Sequence, residues 1–331
     1  MMEVTDAGLY CAAGDFWIDP WKPVPRAIIT HAHSDHARSG SERYYSSVSC
    51  APLLYHRLGA DIQLQTMVWG EQRAFRDVTV SLHPAGHILG SAQVRVQGAN
   101  GVWVVSGDYK RNPDPSCEAF EPIPCDTFVT EATFALPVYR WPDTREVCRA
   151  IFDWWMTCRR QDRPAVLFCY ALGKAQRILA GLGEFTSETV WLHGAVAPLT
   201  EIYRNAGIHM VPTQAVADAA KGYKFAGDLV IAPPGAVGSA WMKRFARAET
   251  GFASGWMTLR GIRRRKGYDR GFVVSDHADW ADLVRTVHET GASRVLATHG
   301  NTSVLVRYLR EMGVDAQALQ TRFGGEEGND A

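Results

Sequence analysis

Residues 31 to 36 read His31-Ala32-His33-Ser34-Asp35-His36, three imidazoles and one carboxylate within six positions. A histidine or aspartate buried without a partner costs stability, so packing alone gives no reason to concentrate them. A bound cation does. Imidazole nitrogen with carboxylate oxygen suits Zn²⁺ and, with more oxygen, Mn²⁺ or Fe²⁺. In an extended loop alternate side chains point to opposite sides, so His31 and His33 can face one way and Asp35 another. One short segment can therefore feed two neighbouring cations. The preceding run, Ala27-Ile28-Ile29-Thr30, is apolar and β-branched, which predicts a buried strand that ends at the cluster.

Two cations need more ligands than this segment holds. Three further candidates stand beside glycine after strand-like stretches: His87 in Ala85-Gly-His-Ile-Leu-Gly-Ser91, Asp108 in Val105-Ser-Gly-Asp-Tyr109, and His299 in Ala297-Thr-His-Gly-Asn301. Glycine lets a backbone approach a crowded centre. Taken singly, each of the three reads more simply as a satisfied polar residue; the ordered set reverses that reading. His56 and His288 fall in helix-like stretches, and His83, His193 and His209 lack neighbouring ligand types, so structural or solvent roles are expected for them.

The chain has 331 residues, 46% of them hydrophobic and 21% charged, enough to bury a large core in one big domain or two ordinary ones. Lys plus Arg and Asp plus Glu both total 35, so no basic excess advertises a nucleic-acid binder and any such function must come from a local site. The seven cysteines have no CxxC or CxxH spacing and read as reduced thiols of a cytoplasmic protein. Neither a secretory leader nor a bilayer-spanning stretch is expected.

Short strand-like runs dominate up to about residue 135, among them Val78 to Leu82, Gln93 to Val96 and Val102 to Ser106. From Thr144 to Arg160 the pattern becomes helical, with Val147, Ile151, Trp154 and Trp155 on one face and Asp143 or Thr144 as N-cap. Alternating β/α units follow, and strand-like Gly271 to Val274 opens a last β/α stretch. The expected organisation is a domain of residues 1–142 and 271–323, an insertion of 143–270, and a flexible acidic tail at 324–331.

The order of His31-x-His33-x-Asp35-His36, Gly86-His87, Gly107-Asp108, Thr130-Glu131-Ala132, Ser275-Asp-His277-Ala-Asp279 and His299-Gly300 resembles the β-CASP branch of the metallo-β-lactamase superfamily over nearly the whole chain. Within the branch, the length and the Thr-His-Gly-Asn ending look like bacterial exonucleases associated with DNA ligases in a DNA damage response. The resemblance implies an α/β fold: an αββα metallo-β-lactamase sandwich with an inserted α/β β-CASP domain. It implies two divalent ions, Zn or Mn, with His31, His33 and His87 on one, Asp35, His36 and His299 on the other, and Asp108 between them. Asp19 would orient the histidine loop. His277, partnered by Glu131, would donate a proton to the leaving group, so His277, Glu131, Asp35 and Asp108 form the expected catalytic set.

Substrate contacts are expected from Lys174 at a helix start, from the Ser254-Gly turn, and from Arg263, Arg264 and Arg265 in a basic run flanked by Trp256 and Tyr268. Ordinary loop closure, a plain turn and a solvated basic loop are the simpler accounts of those three features. The implied activity is a DNA exonuclease acting on single-stranded or frayed ends in DNA repair, with an ATP-dependent DNA ligase and a helicase as implied partners. One departure bears on this: eukaryotic DNA-repair members of the branch typically replace the last metal-binding histidine, whereas His299 is kept here, as in RNA-processing members. An RNA end-processing nuclease is therefore the rival activity, and a noncatalytic nucleic-acid-binding scaffold the rival class.

Overall fold

The computed structural model describes residues 2–259 and 267–321. Its contacts divide the described residues into two compact units, one of residues 2–140 and 276–321, the other of those between 141 and 275.

Two sheets make up the first unit among the described residues. One runs β1 (Met2–Thr5), β2 (Gly8–Cys11), β3 (Phe16–Ile18), β4 (Arg26–Ile28), β5 (Arg43–Ser47) and β6 (Leu64–Met67) in sequence order. Helix α1 (Ala51–Leu58), with a proline in its first turn, connects β5 to β6. The other sheet contains β7 (Arg73–Phe75), β8 (Val78–Pro84), β9 (Ala92–Gly98), β10 (Gly101–Val105), β11 (Thr127–Glu131) and the late strands Arg294–Thr298 and Asp315–Ala318. Period-two alternation sorts its side chains: Val94, Val96, Trp103, Val105, Val129 and Leu296 join the first sheet's Leu9, Phe16, Ile18 and Ile28 in one core. Val104, Phe128, Val295 and Ala297 face the opposite way, onto Leu283, Val287, Leu305 and Leu309 of the two late helices.

The second unit opens with α2 (Thr144–Arg160), capped by Asp143, whose carboxylate accepts the N–H groups of Arg145 and Glu146. Its wholly parallel sheet contains β12 (Ala165–Phe168), β13 (Val190–Leu192), β14 (Thr213–Ala215), β15 (Leu229–Ala232), β16 (Glu249–Ala253) and β17 (Arg270–Phe272), in the spatial order β14-β13-β15-β12-β16-β17. Helices α3 (Lys174–Leu182) and α4 (Ala197–Asn205) are the crossovers to β13 and β14. Continuous apolar runs such as Ala-Val-Leu-Phe in β12 are buried along their whole length, as a parallel sheet requires. The remaining elements are α5 (Trp280–Thr290), β18 (Arg294–Thr298), α6 (Thr302–Glu311) and β19 (Asp315–Ala318).

The fold is the mixed α/β architecture expected of a metallo-β-lactamase fold with a β-CASP insertion. The strand near 271, grouped by sequence with the last domain, pairs instead with β16 in the second unit's sheet. That pairing depends on a distant partner strand, which local pattern does not reveal. The expected tail at 324–331 lies outside the described residues. Among the described residues no helix is long and apolar enough to cross a membrane, and Cys11, Cys50, Cys148, Cys158 and Cys169 are buried.

Candidate metal centre

Strands β10, β11 and β18 run parallel, so their C-terminal ends share one edge of the sheet. Asp108 follows β10, Glu131 ends β11, and His299 follows β18. Glycines at positive φ turn the chain there. An added Cβ on Gly86, at φ 73, would lie 2.2 Å from the Lys110 carbonyl, and one on Gly300, at φ 56, would lie 2.4 Å from the Ala132 carbonyl. Both approaches require glycine.

The loop after β4 meets this edge. One ligand atom from each of His31, His33, His87 and Asp108 lies within 4.8 Å of the others, and Asp35, His36 and His299 form a second such group. Asp108 stands between them, its Oδ2 at 3.5 Å from Nε2 of His31, 3.4 Å from Nε2 of His36 and 3.8 Å from Nε2 of His87. Its Oδ1 is 4.0 Å from Nε2 of His299. The rings of His36 and His299 stack at 5.1 Å.

Hydrogen bonds behind the cluster set which nitrogen carries each proton. Nδ1 of His87 donates to the Asp276 carbonyl at 2.9 Å, and Nδ1 of His36 donates to Oδ2 of Asp19 at 2.7 Å. Their Nε2 lone pairs therefore turn inward. Nε2 of His87 and Nε2 of His31 lie 3.0 and 3.1 Å from the same atom, Nδ1 of His33. A single proton on His33 cannot serve both at full strength, whereas a cation among the three nitrogens satisfies all of them. The donor set thus fits a divalent metal, with outward N–H groups anchored as metal-ligating histidines require.

Electrostatics follow from burial and crowding. Burial, together with the neighbouring histidines His36 and His277 respectively, holds His31 and His87 well below the ordinary imidazole range, while Asp108 pulls the other way. Burial also pushes His299 down to about 4. For His36 burial opposes charge, but Asp35, Asp108 and Asp19 together raise it well above the ordinary range. Asp108 is held well below the usual carboxylate range by His36, His299 and His277 despite the cost of burial. Neutral His31, His87 and His299 beside an ionised Asp108 are in the forms that metals take, whereas His36, held toward its charged form by three carboxylates, would have to release a proton to a bound cation.

A third group joins Asp108 to Glu131 and His277. Nδ1 of His277 donates to Oε2 of Glu131 at 2.8 Å, and Oε1 of Glu131 accepts the Tyr109 N–H at 2.7 Å. Burial raises the Glu131 carboxyl, with His277 acting against the rise and Asp108 adding to it. The ring of Phe134 packs edge-on to His277 at 5.9 Å.

The sequence-expected residues divide into those the cluster contains and those elsewhere. His31, His33, Asp35, His36, His87, Asp108, His299, Glu131 and His277 come together, and Asp19 supports His36. Lys174 and Ser254 lie in the second unit. Lys174 is fully buried with its ammonium 4.6 Å from the Tyr170 ring centre, and the fully buried Ser254 hydroxyl accepts the Trp256 N–H at 3.3 Å. Arg263, Arg264 and Arg265 lie outside the described residues. Sequence reasoning missed Asp276, which acts through a backbone carbonyl and so leaves no side-chain signal.

A sandwich unit carrying this cluster at its strand ends, with a parallel α/β unit inserted before its last β/α elements, defines a class that the chain resembles: the β-CASP branch of the metallo-β-lactamase superfamily. It is similar to a probable DNA ligase of Opitutus terrae, 34% identical over 314 residues that make up 94% of this chain and 30% of the relative. It is also similar to cleavage and polyadenylation specificity factor 73 of Drosophila melanogaster, 28% identical over 56% of this chain and 28% of that protein. The 5' exonuclease Apollo of Gallus gallus is 32% identical over 30% of this chain and 24% of its own. The chain thus spans less than a third of each of these relatives. No family model matches it.

Proposed function

We propose that the chain is a metal-dependent phosphodiesterase that trims nucleic acid from its ends. The observation that carries this reading is the convergence of seven ligand-type side chains from four separated segments into two adjoining groups, with Asp108 in the first and its Oδ2 3.4 Å from Nε2 of His36 in the second. In this reading His31, His33 and His87 would hold one divalent ion, Asp35, His36 and His299 a second, and Asp108 would serve as a ligand to both. Zn or Mn suits the mixed nitrogen and oxygen donors. Bound there, the ions supply the Lewis acidity that activates water and offsets phosphate charge.

The chain's own residues do the rest. Asp108 and Asp35 contribute negative charge that keeps cations in a buried pocket of imidazoles. Asp19 holds His36 with its proton outward and its lone pair inward. His277, its Nδ1–H fixed on Glu131, leaves Nε2 as the atom that can carry a proton to a departing sugar oxygen. The Glu131 carboxylate stabilises the protonated ring that this step requires.

DNA is the proposed substrate, at single-stranded or frayed ends, in a repair role beside an ATP-dependent DNA ligase and a helicase. Similarity over almost the whole chain to a protein named a probable DNA ligase supports the DNA side. Two observations favour RNA end processing as the second reading: His299 is in place, and a cleavage and polyadenylation factor is among the relatives. Matched DNA and RNA oligonucleotides, offered to purified protein with Mn²⁺ or Zn²⁺, separate the two. Faster DNA cleavage supports the first reading and faster RNA cleavage the second. Failure to cleave either, with metal bound, leaves the scaffold reading in possession.

A further inference from the structure

Thr30, buried between β4 and the histidine loop, makes three polar contacts with Asp19 and His31. Its backbone N–H donates to Oδ1 of Asp19 at 2.7 Å. Its hydroxyl oxygen lies 2.6 Å from Oδ2 of Asp19 and 3.0 Å from Nδ1 of His31. A hydroxyl has one proton to give, and an ionised carboxylate can only accept. The proton therefore goes to Asp19, and the oxygen must accept from Nδ1–H of His31. That leaves Nε2 of His31 unprotonated, facing Oδ2 of Asp108 at 3.5 Å. The same Oδ2 of Asp19 accepts from His36. One carboxylate thus governs a histidine in each ligand group, directly for His36 and through Thr30 for His31.

Packing holds the hydroxyl in place. A Cβ added to Gly107 would lie 2.7 Å from Cβ and 2.8 Å from Oγ1 of Thr30, so the threonine side chain fills the space that the bare Gly107 leaves. Gly107, at φ 56, immediately precedes Asp108.

We infer that Thr30 is a positioning residue of the metal centre: its hydroxyl, anchored on Asp19, fixes His31 in the Nδ1–H tautomer and presents the Nε2 lone pair to the ion. The inference rests on the metal-centre reading above. Without the hydroxyl, His31 is free to take the Nε2–H tautomer, which cannot ligate.

The test compares the full-length chain with its Thr30→Val and Thr30→Ser variants. Zn²⁺ affinity is measured by competition with a chromogenic chelator, and the His31 tautomer of the metal-free proteins by ¹⁵N imidazole NMR. Wild type is expected to show the Nδ1–H form. Thr30→Val is expected to mix tautomers and to weaken Zn²⁺ binding on the order of 10- to 100-fold, as loss of an outer partner of a metal-bound histidine does. Thr30→Ser, which keeps the hydroxyl, should restore both. Should the valine variant not fold, Thr30→Cys, a weak donor of similar size, takes its place against serine with the same expectation. Wild-type affinity and tautomer in the valine or cysteine variant would overturn the role of Thr30 alone, as would serine behaving like valine. Absence of Zn²⁺ binding by the wild type would overturn the metal-centre reading and this inference with it.

Discussion

Asp19 holds a left-handed backbone at φ 44, a conformation that costs a non-glycine residue roughly 1 kcal/mol or more. Its carboxylate accepts from the Thr30 N–H, the Thr30 hydroxyl and His36, which ties the strand end to the histidine loop. Asp19→Asn tolerates the same backbone but trades one acceptor for a donor facing His36. Metal affinity is expected to fall about 10- to 100-fold, measured by chelator competition; unchanged affinity would contradict the orienting role. Glu131→Gln leaves His277 a neutral partner, and kcat is expected to drop by about 10² or more with metal content unchanged. Loss of metal together with rate would instead assign Glu131 to the ligands. His193, outside the cluster, is lowered by burial, and its Nδ1 accepts the Ala195 N–H at 3.0 Å. A lowered pKa means that the unfolded chain takes up the proton first. The contribution of neutral His193 is therefore complete above about 6.5 and is lost as pH falls toward the folded value. A ring titration followed by NMR should have its midpoint below 6.5, and a midpoint at or above 6.5 would contradict the burial argument.

At the scale of elements, patterns that repeat within one stretch were the readable ones. Helix α2 announced itself by Val147, Ile151, Trp154, Trp155 and the Asp143 cap, because an amphipathic face and a cap are local properties. Removing the cap by Asp143→Ala should destabilise the protein by ~1 kcal/mol, seen as a lower urea midpoint at unchanged slope; no shift would mean that water serves the freed N–H groups equally well. Strand β17 shows the opposite case. Its residues look the same whether they pair with β16 or with another sheet, and only the register to Gly251, Phe252 and Ala253 decides. The ligand loops fall between these extremes. His31 to His36 was legible by density alone, whereas His87, Asp108 and His299 were legible only through adjacent glycine and a preceding strand. Thr30 and Asp276 gave no sign, since their parts depend on a hydroxyl rotamer and a carbonyl direction.

For the whole molecule, the proposed ions link chemistry to stability, because ligands from β4, β8, β10 and β18 ends meet only when the first unit is folded. Metal present at 100 times its dissociation constant adds ~2.7 kcal/mol per site to the folded state. Chelation should therefore lower the melting temperature, and restored Zn²⁺ or Mn²⁺ should raise it again; a melting temperature indifferent to metal would contradict that link. Asp108→Ala, which removes the shared carboxylate, is expected to abolish hydrolysis while the circular dichroism spectrum stays near wild type.

Anomalous scattering from a crystal soaked in Zn²⁺ or Mn²⁺ tests the centre most directly. The account predicts two peaks, one among His31, His33 and His87 and one among Asp35, His36 and His299, with Asp108 touching both. A single peak, or peaks away from these side chains, would contradict it.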